Sequence, residues 1–466
     1  MSRICSRSRQ KGRRGATLVL CALLIVFMMG LLAFAIDLGY IVLVRTQMQT
    51  AADAGALAGA AATFLGTETA EEEALRFIGY NEAGGHKISP ADVDIRFGKW
   101  NTDSRVFTQA NADAEAIEVT IRRENQPLFF GRIFGTTFDT EVSAVATFQP
   151  RDIMLVLDYS GSMSYDSQFG AIDDLGRSAV EANLLQIYNE LGAPKFGKMK
   201  WTPESNTSTN VNTVKSALGL TNVKYPYARG SWDDYINYVM NDSAVNKAGY
   251  RKKYGYLTWV HYLLAKNYSY SDNPNLWKTS QQPLTAVKNA VDVLVSYIQE
   301  NSPKDRLGFT LYTAADGTAK VEQNLTDNFS KVAELVRKRQ AGHYTAYTNI
   351  YDGLRVGREA LQNGARPSAQ KMIVLMTDGQ ANLPVNESYG KYYALQEAQQ
   401  CKQKRIPVVT ISLGADADSN LMQQIADITG GVHFNIPGGQ SVQDYEEQLK
   451  NVFRRVAGDR GLVLVK

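Results

Sequence analysis

The sequence predicts an α/β protein whose second half is a Rossmann-like, doubly wound, mostly parallel sheet, preceded by an N-terminal transmembrane helix and a small α+β region. Three observations carry this. Residues 16–36 contain no charge and no proline. Residues 45–150 run from an alanine-rich helical stretch into three stretches of alternating polarity. From residue 151 onward, short apolar runs alternate with amphipathic segments, the pattern of strands and helices packed as a parallel sheet with helices on both faces.

A chain of 466 residues, 44% hydrophobic and 21% charged, suits two to three folded domains. The formal charge of +3 is misleading, because six Lys and Arg fall in residues 1–14. The remaining 44 basic and 47 acidic residues give −3, which argues against a nucleic-acid-binding surface. The basic tail at 1–14 leads into a membrane span at 15–44, since a bilayer core needs about 20 apolar residues in helical form. This run exceeds the 7–15 apolar residues of a cleaved signal peptide, although the small residues of "AFA" at 33–35 leave a cleavage site within reach. Six basic residues before the span, against Arg45 alone close behind it, place the N-terminus in the cytoplasm and the bulk outside the membrane. Of three cysteines, Cys5 lies in the tail and Cys21 in the span, so Cys401 has no internal disulfide partner.

From Arg45 to about Tyr80 the chain reads as helix, closed by the glycines at 84 and 85. "DVDIRFGKW", "EAIEVTIRR" and "TEVSAVATFQ" read as half-buried strands, giving the outline of a pilin-like α+β region or of a simple stalk. In the second half the runs "IMLVLD", "RLGFTLYT", "KMIVLMTD", "IPVVTISLG" and "GGVHFNI" are the expected strands. Ligands of such sheets sit beyond the carboxyl ends of the strands, and Asp158 and Asp378 both lie there.

"DYSGSMS" at 158–164 places a carboxylate and hydroxyls at alternate positions, which admits a hard metal ion, a nucleophilic serine or a polar turn. Convergence decides for the metal. In an extended loop Asp158, Ser160 and Ser162 point one way, with Gly161 allowing a tight bend. Thr348 in "YTNIYDGL" and Asp378 in "MTDGQ" supply further oxygens. An all-oxygen donor set favours Mg²⁺ over Zn²⁺, with Mn²⁺ and Ca²⁺ left open, and leaves room for water and one outside oxygen. A serine hydrolase would need a histidine beside its nucleophile, and only His343, five residues before Thr348, is near in sequence. No GxSxG elbow surrounds Ser160 or Ser162, and a phosphotransfer aspartate would have a second acid where Ser160 stands. The expectation is a protein that is not an enzyme, a metal-dependent hydrolase being the least favoured reading.

Two resemblances extend these readings. "RRGATLV…FAIDLGYIVLVRTQMQTAADAGALAGA", about residues 13–62, resembles the N-terminal region of TadE/TadG-like proteins of the bacterial Tad (Flp) pilus assembly system. Counting from Ala16, the fifth residue is Leu20, where processed type IV prepilins have glutamate, so the resemblance implies an anchored assembly factor more than a polymerising pilin. Asp158, Ser160, Ser162, Thr348 and Asp378 fill each position of a pattern similar to the metal-ion-dependent adhesion site of von Willebrand factor type A domains. That resemblance implies that Asp378 acts through a water and that an acidic side chain of a partner protein completes the metal sphere.

The domain at 151–456 is interrupted at 166–282 by 117 residues holding 11 of 24 tyrosines and four of five tryptophans, read as a structured cap that shapes partner access. Residues 457–466 form a C-terminal tail whose "LVLVK" is too short to span a membrane and is expected to pair with a sheet. The combined expectation is a single-pass bacterial inner-membrane protein, periplasmic in bulk, binding envelope or pilus assembly proteins through Mg²⁺. The alternative is a general surface adhesion module unrelated to pili.

Overall fold

The computed structural model describes residues 14–465 apart from 64–65, 102–103, 111–113, 149, 303, 314–318, 368, 415, 438–441 and 459–461. The basic tail, save Arg14, lies outside the described residues. The chain divides into two compact units, one of residues 1–149 and 462–466 and the other of 150–461.

In the first unit, helix α1 (Arg14–Ala62) is long and apolar enough to cross a membrane, and its apolar side chains from Leu18 to Leu43 are largely exposed. Farther along, Val44, Met48, Ala51, Ala52, Ala56 and Ala60 form a buried stripe at helical spacing. That stripe packs on α2 (Thr67–Ile78) and on a sheet. The helix expected to run to Tyr80 thus breaks after Ala62, and Gly84 and Gly85 form the turn of a two-residue ladder, Glu82–Ala83 with His86–Lys87. Glycine is required where the layers close in: a Cβ on Gly59 would lie 2.5 Å from Ile117 Cδ1. The sheet is antiparallel, formed by β1 (Val93–Asn101), β2 (Val106–Gln109), β3 (Ala116–Pro127) and β4 (Thr137–Phe148). Its order is β2-β1-β3-β4, with the C-terminal strand Leu462–Leu464 pairing on β4. Strand β2 was not foreseen; its four residues are mostly exposed and carry no apolar alternation.

In the second unit, β5 (Arg151–Asp158) is followed by the inserted helices α3 (Arg177–Glu190), α4 (Trp232–Asn241) and α5 (Tyr256–Lys266). Then come α6 (Leu284–Asn301), β6 (Arg306–Tyr312), β7 (Lys320–Thr326), α7 (Phe329–Arg337), α8 (Ile350–Gly364) and β8 (Gln370–Thr377). The unit ends with α9 (Glu387–Gln403), β9 (Val408–Leu413), α10 (Ser419–Thr429), β10 (His433–Ile436) and α11 (Val442–Gly458). The sheet order is β7-β6-β5-β8-β9-β10, parallel except for β7. Strand β5 is buried along its whole length, as the central strand of a two-faced sheet must be. Its Ile153, Leu155 and Leu157 pack towards α6, α7 and α11, whereas Met154 and Val156 pack towards α8, α9 and α10. That alternation is the doubly wound architecture the sequence predicts.

The insertion has its own apolar cluster, which runs from Phe169 to Leu276 and is built round Trp232, Tyr235, Trp259 and Leu263. It is tied to the sheet domain through Gln340, whose Nε2 donates to Tyr268 O (2.5 Å) and Asn273 O (2.9 Å), while Trp277 N donates to its Oε1 (3.2 Å). Two residues later, Gly342 N donates to Tyr159 O at 2.7 Å. The aromatic segment therefore buttresses the same loop that continues to Thr348.

Candidate functional site

Strand β5 ends at Asp158, and the neighbours on either side, β6 and β8, are reached by chain running in opposite directions across the sheet. This is a topological switch point, where the loops diverge and leave a crevice. Asp158 is fully buried; its Oδ1 accepts from Ser160 N (2.8 Å) and its Oδ2 from Thr377 Oγ1 (2.7 Å). Ser160 is extended, but residues Gly161–Ser167 form a 3₁₀ turn. The hydroxyls therefore do not converge through a fully extended loop. The turn brings Ser162 Oγ to 2.8 Å from Ser160 Oγ, and Ser162 Oγ donates to Asp378 Oδ1 at 2.7 Å. Gly161 is needed for closeness: its N–H donates to Ala346 O (3.1 Å), and a Cβ there would sit 3.1 Å from the Ala346 Cβ.

Thr348 arrives from that second loop. Its N–H donates to Asn382 Oδ1 (3.0 Å), and Asn382 N returns a bond to Thr348 O (3.1 Å). A Cβ built on Gly379 would lie 3.5 Å from both Ser162 Oγ and Thr348 Oγ1, which places the two hydroxyls on the same small space. The five residues singled out in the sequence are thus brought together. Thr377, Tyr312 and Asn382 were not foreseen. Thr377 fixes Asp158, Tyr312 donates from its hydroxyl to Met376 O (2.6 Å) beneath the site, and Asn382 clamps the Thr348 loop. The hydroxyl beside Asp378 in "MTDGQ" was the one available signal.

Electrostatics make the arrangement unusual. Burial pushes the Asp158 carboxyl up to about 6, although bonds from Ser160 and Thr377 pull the other way. Burial and the nearby charge of Asp158 push Asp378 well above the usual carboxylate range. Among the described residues no Lys or Arg pairs with either acid. Two carboxylates and three hydroxyls without a counter-charge fit a hard divalent cation, whose charge would hold both acids ionised. In the metal-free chain the sign is fixed: both acids favour the protonated form, so their contribution to stability is full below about pH 4. It is lost as pH rises through about 6 and beyond. No histidine bonds to Ser160 or Ser162 among the described residues. The His343 ring lies 4.8 Å from the Tyr270 ring, His261 Nε2 bonds Tyr238 Oη (3.0 Å) and His433 Nδ1 bonds Thr410 Oγ1 (2.9 Å).

Residues 277–448 match the family model of the von Willebrand factor type A domain. Residues 15–62 match that of Flp pilus-assembly TadE/G-like proteins, and 46–146 that of Tad-like Flp pilus assembly. The chain carries a TadE/G-like region and a von Willebrand factor A domain. The domain match begins at 277, within the last residues of the insertion, so Asp158, Ser160 and Ser162 lie before it. They rejoin it in space through β5, which pairs with β6 and β8. With the TadE/G-like match, the apolar helix α1 makes this a membrane-anchored chain. The two kinds of region together support a pilus-associated adhesion or protein-binding role. Among solved structures, the chain is similar to the conserved hypothetical protein BatB of Bacteroides thetaiotaomicron at 15% identity, covering 37% of this chain and 90% of that one, with a TM-score of 0.29. It is similar to the PilB minor pilin of Streptococcus sanguinis at 11% identity (79% and 88% covered, TM-score 0.37). A von Willebrand factor type A protein of Catenulispora acidiphila gives 11% identity (78% and 49% covered, TM-score 0.32). No protein of curated description matches the chain.

Proposed function

We propose that this protein is a bacterial inner-membrane factor for Tad-type pilus assembly or adhesion, cytoplasmic at its N-terminus and periplasmic in bulk. In this reading it captures envelope or pilus assembly proteins through a Mg²⁺-dependent site and catalyses no reaction. The single observation that carries the reading is the meeting of Asp158, Ser160, Ser162, Thr348 and Asp378 at the switch point, with two buried acids and, among the described residues, no cationic side chain paired with them. Asp158, Ser160, Ser162 and Thr348 would hold the ion, and Asp378 would act through a water. The ion would supply positive charge to an acidic side chain of the partner. The crevice is open enough for that, since Ser162 and Gly161 are part-exposed.

Capture is the direct test. The detergent-solubilised full chain, purified from its own cells, is expected to retain envelope or pilus assembly proteins in millimolar Mg²⁺ and to release them on chelation. The Asp158→Ala chain is expected to retain none of them. Retention that ignores both chelator and substitution would remove the metal from the binding account, and a periplasmic reporter inactive after residue 150 would remove the orientation.

A further inference from the structure

We infer that the turn between β3 and β4, residues 128–136, is a second membrane contact that inserts its apolar tip into the outer lipid interface beside α1. The inference rests on α1 being a membrane span. Asp37 is the first charged residue after the uncharged run 16–36. At 1.5 Å per residue that run spans about 30 Å, the thickness of a hydrocarbon core, so Asp37 stands at its outer edge. Both carboxylate oxygens of Asp37 are taken by this turn: Phe130 N donates to Oδ1 and Gly131 N to Oδ2, each at 2.8 Å. A carboxylate at that depth of the bilayer would be unfavourable without such partners, and the same two bonds set the height of the turn against the helix.

The turn is held in shape. Gly135 N donates to Arg132 O (3.0 Å), Thr136 N to Gly131 O (3.1 Å), and Thr136 Oγ1 to the same carbonyl (2.7 Å). The reversal needs Gly135, at φ 68°. What this frame presents outward is apolar: Phe129, Ile133 and Phe134 are 54%, 74% and 87% exposed. Three large apolar side chains on one short turn are an unusual exposure for a surface facing only water. On α1, the exposed Leu38, Val42 and Leu43 follow Asp37 and would cross the headgroup region before the helix becomes buried at Val44. Arg132, exposed between the apolar residues, suits a lipid interface, where a guanidinium reaches the phosphates while its stem stays among the tails. The occupant of this surface is therefore lipid, and the effect is to fix the tilt and rotation of the first unit against the membrane.

Spin labels read the depth. The full chain, carrying Cys5→Ser and Cys21→Ala, is reconstituted in phosphatidylethanolamine–phosphatidylglycerol vesicles with single labels at Ile133→Cys, Phe134→Cys, Met28→Cys or Tyr80→Cys. Labels at 133 and 134 are expected to collide with oxygen more often than with a water-soluble nickel chelate, as at 28, and the ratio is expected to invert at 80. A nickel-dominated signal at 133 and 134 with a lipid-like signal at 28 overturns the inference and leaves the span intact. A nickel-dominated signal at 28 overturns the span, and the inference with it. Dipolar broadening between labels at 133 on neighbouring copies would assign the surface to a second copy of the chain and overturn the lipid assignment.

Discussion

Asp158→Ala is expected to remove the stabilisation that magnesium gives to the folded chain. An ion that binds only the native state stabilises it by about 2.7 kcal/mol at a hundredfold excess over Kd. Millimolar Mg²⁺ should therefore raise the unfolding midpoint of the wild type clearly and that of the variant little. Removing Thr348 or Asp378 should weaken the response as well, Asp378 less so where a water intervenes. The metal-free state separates this from a merely structural role. Asp158 and Asp378 repel each other in a buried site, so in chelator at pH 7 Asp158→Asn is expected to match or exceed the wild type in stability. A structural aspartate would instead leave its Asn variant weaker in both conditions. Thermal unfolding followed by near-ultraviolet circular dichroism, with and without chelator, checks both statements.

At the opposite end of the same strand the expectation reverses. Asp152 is completely buried, accepting from Arg306 Nε (2.9 Å) and from Arg366 N (2.7 Å), with a guanidinium nitrogen of each arginine at 2.7 Å. Burial alone would raise its pKa, but the two arginines more than offset this and hold the carboxyl below the usual range. Removing one partner of such a cluster leaves charge uncompensated, which costs about 3–5 kcal/mol. Asp152→Ala should therefore destabilise the second unit by about that amount, with or without magnesium. Because the folded pKa is depressed, the stabilisation is present above about pH 4 and lost as pH falls through the folded value. Denaturant titration at pH 7 and at pH 3 reads this, and a loss at pH 7 below about 1 kcal/mol would assign the cluster to the surface class of ion pairs.

The two aspartates of β5 also show what the sequence makes legible. The run "IMLVLD" announces a buried central strand, and "DYSGSMS" and "MTDGQ" at strand ends name four of the five site residues, because loops after parallel strands converge; Thr348 of "YTNIYDGL" comes instead from the loop between the helices α7 and α8. The supporting residues were hidden. Asn382 and Tyr312 act through bonds that cross between loops and strands, and no local pattern encodes them. Strand β7 was missed because an edge strand with Glu322, Gln323 and Asn324 at its centre lacks alternation. The insertion's aromatics were readable as a cluster, but not their attachment, which runs through residues 340–343, far from them in sequence: Gln340 bonds Tyr268 O and Asn273 O, Ala341 N donates to Gln281 Oε1 (3.0 Å) and Tyr270 N donates to His343 O (3.0 Å). The Asp37 bond to the β3–β4 turn spans more than 90 residues and is equally invisible to periodicity.

The most direct measurement is a calorimetric titration of magnesium into the detergent-solubilised full chain at pH 7 and at pH 5. Because Asp158 is pushed up to about 6, and Asp378 is also held well above the usual carboxylate range, protons compete with the ion at the lower pH. The account predicts one ion per wild-type chain at pH 7, clearly weaker binding at pH 5, and no binding by Asp158→Ala at either pH. Equal heats from wild type and Asp158→Ala, or an affinity that ignores pH, would contradict it.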